Sequence, residues 1–332
     1  MKPKIILSIL AGILAFPVLG TFAQTAPITF VVLATFDYPG TGNLTRPQKI
    51  NAGGEIAGEF VDSSGATRGF IRYADGTFSA PIIDPNDTVG FTEGRGINDA
   101  GTVCGDYSDG AAFHGFFLTG STYTQYDVPG ALSTLVLGLN NAGDFVGNIT
   151  ASDGSSPAFI SLGGNVTTFS APGATFTAAY QLNSSGQAVG YYVDSSSISH
   201  GFARNQAGAI RYPLDPPGTT GTIVFGFNDQ DAIVGRYSDS AGATHGLYIV
   251  SNHYVTYDYP GSSFTSLNGI NDQGLICGRY IDSSGIEHGI LLQVRHSRAD
   301  QPGVESKTLN PPVVAKPVGP VPSAVQHEVP AA

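Results

Sequence analysis

An asparagine-anchored unit recurs six times along this chain, at Asn51, Asn98, Asn140, Asn183, Asn228 and Asn271, with spacings of 47, 42, 43, 45 and 43 residues. A period of that size is the signature of a solenoid, a propeller or an array of supersecondary units. Three more positions recur with each Asn. A Thr stands six residues before it (Thr45, Thr92, Thr134, Thr177, Thr222, Thr265). An apolar residue stands immediately before it (Ile50, Ile97, Leu139, Leu182, Phe227, Ile270), and a Gly stands seven residues after it (Gly58, Gly105, Gly147, Gly190, Gly235, Gly278).

Each unit reads as four short strands. In the last copy, strand a runs over 265–270 and Asn271-Asp272-Gln273-Gly274 closes it with a turn, Asn first and Gly fourth suiting type I. Asp231 replaces that Gly in repeat 5, and Asp tolerates the left-handed region better than most residues. Strand b covers 275–281. An interior Gly in every copy predicts a bulge or a close backbone approach. Strand c begins at His288-Gly289-Ile290, and strand d is clearest as 254–258, ending in Tyr259-Pro260-Gly261.

The sixth copy lacks a strand d, and an unassigned strand at the N-terminus supplies one. Phe36-Asp37-Tyr38-Pro39-Gly40 matches Tyr257-Asp258-Tyr259-Pro260-Gly261. An N-terminal strand that completes the last unit is how a closed ring removes its edges. The expected fold class is all-β, a six-bladed β-propeller of four-stranded blades closed by that strand, spanning 28–296. The repeats fall near 41–84, 85–128, 129–171, 172–216, 217–259 and 260–296 plus 28–39. An open β-array is the alternative.

The pattern Gly-x-Asn-x-x-Gly-x-x-x-Gly followed by His-Gly-Phe resembles the bacterial extracellular repeats of the HAF family. The triplet is His114-Gly115-Phe116, His200-Gly201-Phe202, His245-Gly246-Leu247 and His288-Gly289-Ile290, with Arg68-Gly69-Phe70 in repeat 1 and Pro157-Ala158-Phe159 in repeat 3. The resemblance implies a secreted repeat protein and carries no settled activity.

The ends differ from the repeats. Met1-Lys2-Pro3-Lys4, an apolar run over 5–19 and Thr21-Phe22-Ala23 read as a signal peptide (1–23) cleaved after Ala23. Export to the exterior or periplasm is expected, with no membrane span left after cleavage. The Pro-rich stretch 297–332 reads as a disordered, extended tail. A net charge of −11 with no basic stripe disfavours nucleic acid as a partner. Cys104 and Cys277 occupy the same position in repeats 2 and 6, too far apart in such a ring for a disulfide, and are expected to be buried free thiols.

Acidic residues recur in two sets of loops expected to share a face. The d–a loops carry Asp37, Asp84, Asp127, Asp215 and Asp258, with Ser170 in repeat 3; the b–c loops carry Asp62, Asp109, Asp194, Asp239 and Asp282, with Ala151 in repeat 3. These oxygens are Ca²⁺-like ligands, and His with Asp suits a transition metal. The competing reading is structural. An Asp before Ser-Ser-Gly bonds its own turn, and one site does not need four copies of His114, His200, His245 and His288. The metal is therefore unassigned, and no cofactor is expected beyond a possible Ca²⁺.

Positions where the repeats differ are more informative. Three before each motif Asn stand Gln48, Arg95, Leu137, Tyr180, Phe225 and Asn268, and Arg46, Lys49, Glu93 and Gln181 also break the pattern nearby. This predicts a channel mouth that is charged on one side and aromatic on the other, the usual place for a propeller ligand. Nucleophile-elbow, zincin and Walker motifs are missing from the sequence. The expected function is a monomeric, non-enzymatic binding or scaffold propeller recognising a glycan or a surface protein. The alternative is a hydrolase or lyase acting on carbohydrate or a small ester, with or without metal assistance, with Glu93 and a loop Asp as the acid/base pair.

Overall fold

The computed structural model describes residues 28–41 and 43–296. The expected signal peptide and the Pro-rich tail lie outside the described residues. All described regular elements are strands, and the arrangement is that of a β-propeller. The chain begins with β1 (Ile28–Phe36). Repeat 1 supplies β2 (Thr45–Ile50), β3 (Ile56–Val61) and β4 (Thr67–Arg72); repeat 2 supplies β5 (Thr92–Ile97), β6 (Val103–Ser108), β7 (Phe113–Thr119) and β8 (Thr122–Tyr126). Repeat 3 gives β9 (Ser133–Leu139), β10 (Phe145–Thr150), β11 (Ala158–Leu162) and β12 (Asn165–Phe169). Repeat 4 gives β13 (Phe176–Leu182), β14 (Ala188–Val193), β15 (Ser199–Arg204) and β16 (Ile210–Arg211). Repeat 5 gives β17 (Gly221–Phe227), β18 (Ile233–Ser238), β19 (Thr244–Val250) and β20 (His253–Tyr257), and repeat 6 gives β21 (Phe264–Ile270), β22 (Leu275–Ile281) and β23 (Glu287–His296).

Within each repeat the strands form an antiparallel meander. Repeats 2, 3 and 4 are four-stranded sheets, and repeat 1 is three-stranded. The strands of repeats 5 and 6, with β1, form one eight-stranded sheet, in which a single parallel pair, Thr244 with Phe264, connects the two repeats. β1 pairs antiparallel with β23 along its length, from Ile28 opposite His296 to Phe36 opposite Gly289. First strands pack on first strands: β2 on β5, β5 on β9, β9 on β13, β13 on β17, β17 on β21, and β21 on β2.

Two repeats depart from the expected four full strands. In repeat 1 the fourth segment touches β4 only through isolated bridges, Gly69 with Ile82 and Arg72 with Phe78. Pro81 between them has no N–H to give a ladder. In repeat 4 the fourth strand is two residues long and stops before Pro213, for the same reason.

The motif residues each have a mechanical task. The Thr hydroxyl ties the incoming loop to the first strand, accepting from the backbone N–H of Tyr38, Asp84, Val128, Ala171 and Tyr259 at 2.9–3.2 Å. In repeat 5 the matching loop residue is Pro216, which has no N–H, and Thr222 Oγ1 is buried without a partner. The Asn closes its own turn through Oδ1. Asn271 Oδ1, for example, accepts from Gln273 N and Leu275 N. Its Nδ2 donates to the carbonyl of the next motif Asn: Asn51 to Asn98, Asn140 to Asn183, Asn228 to Asn271, and Asn271 to Asn51. Asp cannot do both, because a carboxylate has no donor.

The recurring Gly of the second strand meets both conditions that the sequence suggested. Every first strand carries a bulge opposite it, with the register slipping across Gln48, Arg95, Leu137, Tyr180, Phe225 and Asn268. A Cβ at Gly147 would overlap the Leu135 carbonyl oxygen and lie 2.7 Å from the Phe159 ring. The last residue of each triplet packs on this glycine. Phe70, Phe116, Phe159, Phe202, Leu247 and Ile290 are all fully buried, and each aromatic among them contributes on the order of 2–3 kcal/mol by burial. Gly147→Ala is expected to cost about 3 kcal/mol in urea unfolding, since neither the carbonyl nor the packed ring has room to move. Gly221→Ala, whose Cβ would meet nothing nearer than Ser199 O at 3.8 Å, should change stability by no more than about 0.5 kcal/mol.

Candidate functional site

The His and Asp residues of the loops come together as brackets. His114 places Nδ1 3.0 Å from Asp127 and Nε2 3.4 Å from Asp109. His200 lies 2.5 Å from Asp215 and 3.5 Å from Asp194, His245 3.0 Å from Asp258 and 3.4 Å from Asp239, and His288 2.9 Å from Asp37 and 3.4 Å from Asp282. Each imidazole stacks on a tyrosine of the second strand: Tyr107, Tyr192, Tyr237 and Tyr280, at 5.0–5.3 Å. The two loop sets therefore share one face. In repeat 1, Arg68 bridges Asp62 and Asp87 in the same manner. Repeat 3 lacks the His and both Asp residues at once.

The second oxygen of each b–c loop Asp is already committed. Asp282 Oδ1 accepts from Ser284 N and Ile286 N, and Asp62 Oδ1 accepts from Ser64 N and Ala66 N. Among the described residues no group of three or more His, Cys, Asp or Glu is arranged to hold a metal ion. Cys104 and Cys277 are buried free thiols, and burial pushes both up, Cys277 to about 12.

The bulged residues meet at the axis. Lys49 of repeat 1 lies 5.7 Å over the Tyr180 ring of repeat 4, so side chains three repeats apart touch. Tyr180 in turn packs edge-on to Phe225, 5.1 Å away, and 5.8 Å from Tyr191. On the other side Arg95 pairs with Glu93, with Asp106 at 3.1 Å and with Glu59 at 3.9 Å. Arg46 spans Glu59 at 3.1 Å and Glu287 at 2.9 Å, and Arg279 also pairs with Glu287. Gln48 donates to Glu59. Asn268 is buried, its amide donating to Pro47 O and accepting from Ser266. Gln181 reaches Leu139 O and Leu182 O on the opposite, turn-bearing end of the axis, where a small cavity of about 100 Å³ is ringed by motif Asn residues.

The charged and aromatic halves expected at this position are both present. The sequence reading missed five lining residues. Glu59, Asp106, Tyr191, Arg236 and Arg279 stand opposite Arg46, Glu93, Ala178, Ile223 and Ser266 in the ladder between first and second strands. They all lie eight residues after a motif Asn, so the same alignment would have exposed their variation.

Burial governs the electrostatics here. It raises the Glu93 and Asp106 carboxyls, with Arg95 opposing. Burial pulls Arg95 down, but Glu93, Asp106 and Glu59 together outweigh it and hold its pKa high. Lys49, 4% exposed, is pulled down to about 8 by burial.

No family model and no curated protein match this chain by sequence. Solved structures match it in fold. A putative TolB from Agrobacterium tumefaciens aligns over 78% of this chain and 92% of its own with 12% identity and a TM-score of 0.50. A lectin of Aleuria aurantia in complex with Fucalpha1-6GlcNAc aligns over 79% of this chain and 100% of its own, with 12% identity and a TM-score of 0.49. The β-propeller domain of the Trilobed protease from Pyrococcus furiosus covers 75% and 81%, with 10% identity and a TM-score of 0.46. The class defined is the β-propeller, and the likeness extends to fold alone. Among the described residues no helix is long and apolar enough to cross a membrane.

The brackets predict a pH profile. Burial alone would lower His114, His200 and His245, but the flanking carboxylates outweigh it and raise all three above 6.5. That contribution to stability is full below pH 6.5 and is lost as pH rises through the raised folded values. Asp109, Asp194, Asp239 and Asp282 are held below 3.8, chiefly by turn amides, so their contribution is lost as pH falls through those depressed values. The melting temperature should decline above about pH 6.5, and replacing His114, His200 and His245 by Gln should flatten that decline.

Proposed function

We infer that this chain is an exported, six-bladed propeller of the HAF-repeat type, closed by β1, which binds a saccharide or a saccharide-bearing surface at its axial mouth without chemistry. The single observation that carries the binding reading is where the repeats stop resembling one another. The glycine, Thr and Asn anchors are copied in all six repeats and the His bracket in four, whereas the six bulged positions all differ and the second-strand position beside them runs Glu59, Asp106, Asn148, Tyr191, Arg236 and Arg279. Symmetry in the scaffold with individuality confined to the axis is what a single off-centre ligand requires. Tyr180 and Tyr191, both partly exposed, supply flat apolar faces of the kind on which sugar rings stack, and the polar half supplies directional groups.

Closure is supported by β1 lying on β23, by the packing of β21 on β2, and by the Asn271 to Asn51 hydrogen bond of 2.9 Å. If the ring is closed, amides of β1 exchange as slowly as those of β22 in native-state hydrogen exchange. Rapid exchange confined to β1 would reject closure.

The hydrolytic alternative rests on Glu93. Its side chain is held by Arg95, which leaves it poorly placed to meet a leaving group. On a glycan array the intact protein is expected to bind a limited set of saccharides, and Tyr180→Ala to weaken that binding about tenfold or more, the scale of a lost stacking platform. Binding to no glycan, or binding unchanged by Tyr180→Ala, would overturn the reading.

A further inference from the structure

Cations and carboxylates at the axis do not balance, and the surplus is all on one side. Five cations (Arg46, Lys49, Arg95, Arg236, Arg279) face four carboxylates (Glu59, Glu93, Asp106, Glu287). Arg46, Arg95 and Arg279 use all four carboxylates. Lys49 and Arg236 have no carboxylate partner among the described residues. Lys49 Nζ has only the Asn268 carbonyl at 3.5 Å.

Both unpaired cations sit on the aromatic half. Arg236 lies between Phe225 and Phe264, 5.4 Å from each ring centroid. Lys49 lies over Tyr180, which packs on Phe225. A cation withdrawn from water and left without an anion is costly. Cation–π contact offsets only part of that, about 1–2 kcal/mol. The rings pack on the Arg236 guanidinium, Phe264 being shared with Arg279, and a planar guanidinium without a carboxylate partner is suited to take one bidentately.

We propose that the axial mouth selects a carboxylate-bearing saccharide, a uronic-acid type of sugar, with its carboxylate on Arg236 and its ring against Tyr180 and Tyr191. This rests on the binding reading above and narrows it to an acidic ligand. The acidic net charge of the whole chain, −11, would repel such a ligand at long range, so its recognition has to come from local pairing at the axis and not from steering.

The test uses the full chain and three probes at matched ionic strength: sodium D-glucuronate, D-glucose and sodium acetate. The protein has no Trp and 15 Tyr, Tyr180 and Tyr191 among them, so tyrosine fluorescence is the optical readout, with the melting temperature as the second. Glucuronate is expected to change both saturably, and glucose and acetate to have far smaller effects. Arg236→Gln should weaken glucuronate at least about tenfold, as expected for a lost charge-assisted pair, and Arg236→Lys should recover part of it. No response to glucuronate, or the same response in Arg236→Gln, overturns the proposal. An equal response to glucose removes the acidic selectivity, and an equal response to acetate removes the sugar. If the unaltered protein binds neutral saccharides on the array but glucuronate gives no response or one that Arg236→Gln leaves unchanged, the carboxylate proposal falls while the binding reading stands. If neither array nor titration shows binding, both fall.

Discussion

The structure depends on one close contact, between the glycine of each second strand and a carbonyl of the first strand beside it. A side chain at that glycine would collide with the carbonyl in all six repeats, and at Gly58, Gly105 and Gly147 also with the Phe ring of the triplet packed across it. Because the glycine is bare, the first strand can bulge toward it, and the bulge leaves one residue per repeat out of the ladder. Those unpaired residues line the axis together with ladder-paired neighbours such as Lys49, Glu59, Asp106, Tyr191, Arg236 and Arg279. The same contact that lets each blade pack thus determines which six positions can vary without damaging the fold.

Around that contact the repeat uses few polar devices, and each is satisfied on both sides. Thr45 and its counterparts fasten the entering loop, and the motif Asn closes its own turn while reaching the next repeat. The His brackets join two loops on the other face. Exceptions follow the chemistry. Pro216 removes a donor and leaves Thr222 unpaired. Repeat 3 replaces the His and both carboxylates together, so no charge is left alone there.

The axis follows a different logic. Glu59 and Asp106 are almost wholly buried, at 1% and 0% exposure, and charges at such depth gain little net stability over an apolar filling. A network of this kind is better understood as holding Arg46, Arg95 and Arg279 in place. Its inability to neutralise Lys49 and Arg236 gives the site its polarity, and places the unpaired positive charge beside the rings.

Much of the fold was legible in the sequence. The Asn period, the glycine in each second strand and the N-terminal copy of the strand-d motif predicted the strands, the bulges and the pairing of β1 with β23, because each depends on local geometry that few residue types allow. Gln48, Arg95, Tyr180, Phe225 and Asn268 were also legible as the places where copies diverge. Their roles were not. Nothing in the sequence says that Asn268 spends its amide on Pro47 O, that Glu93 is held by Arg95, or that Arg236 and Arg279, alike in residue type and repeat position, differ in having a carboxylate partner. Those distinctions arise between repeats, from side chains about 220 residues apart in the chain or on opposite sides of the axis. The sequence by itself determined the repeating unit, since turns, bulges and caps are local. Which axial residues are tied down and which are left without a charged partner was decided only by the tertiary structure, because pairing and burial depend on what the other repeats bring to the axis.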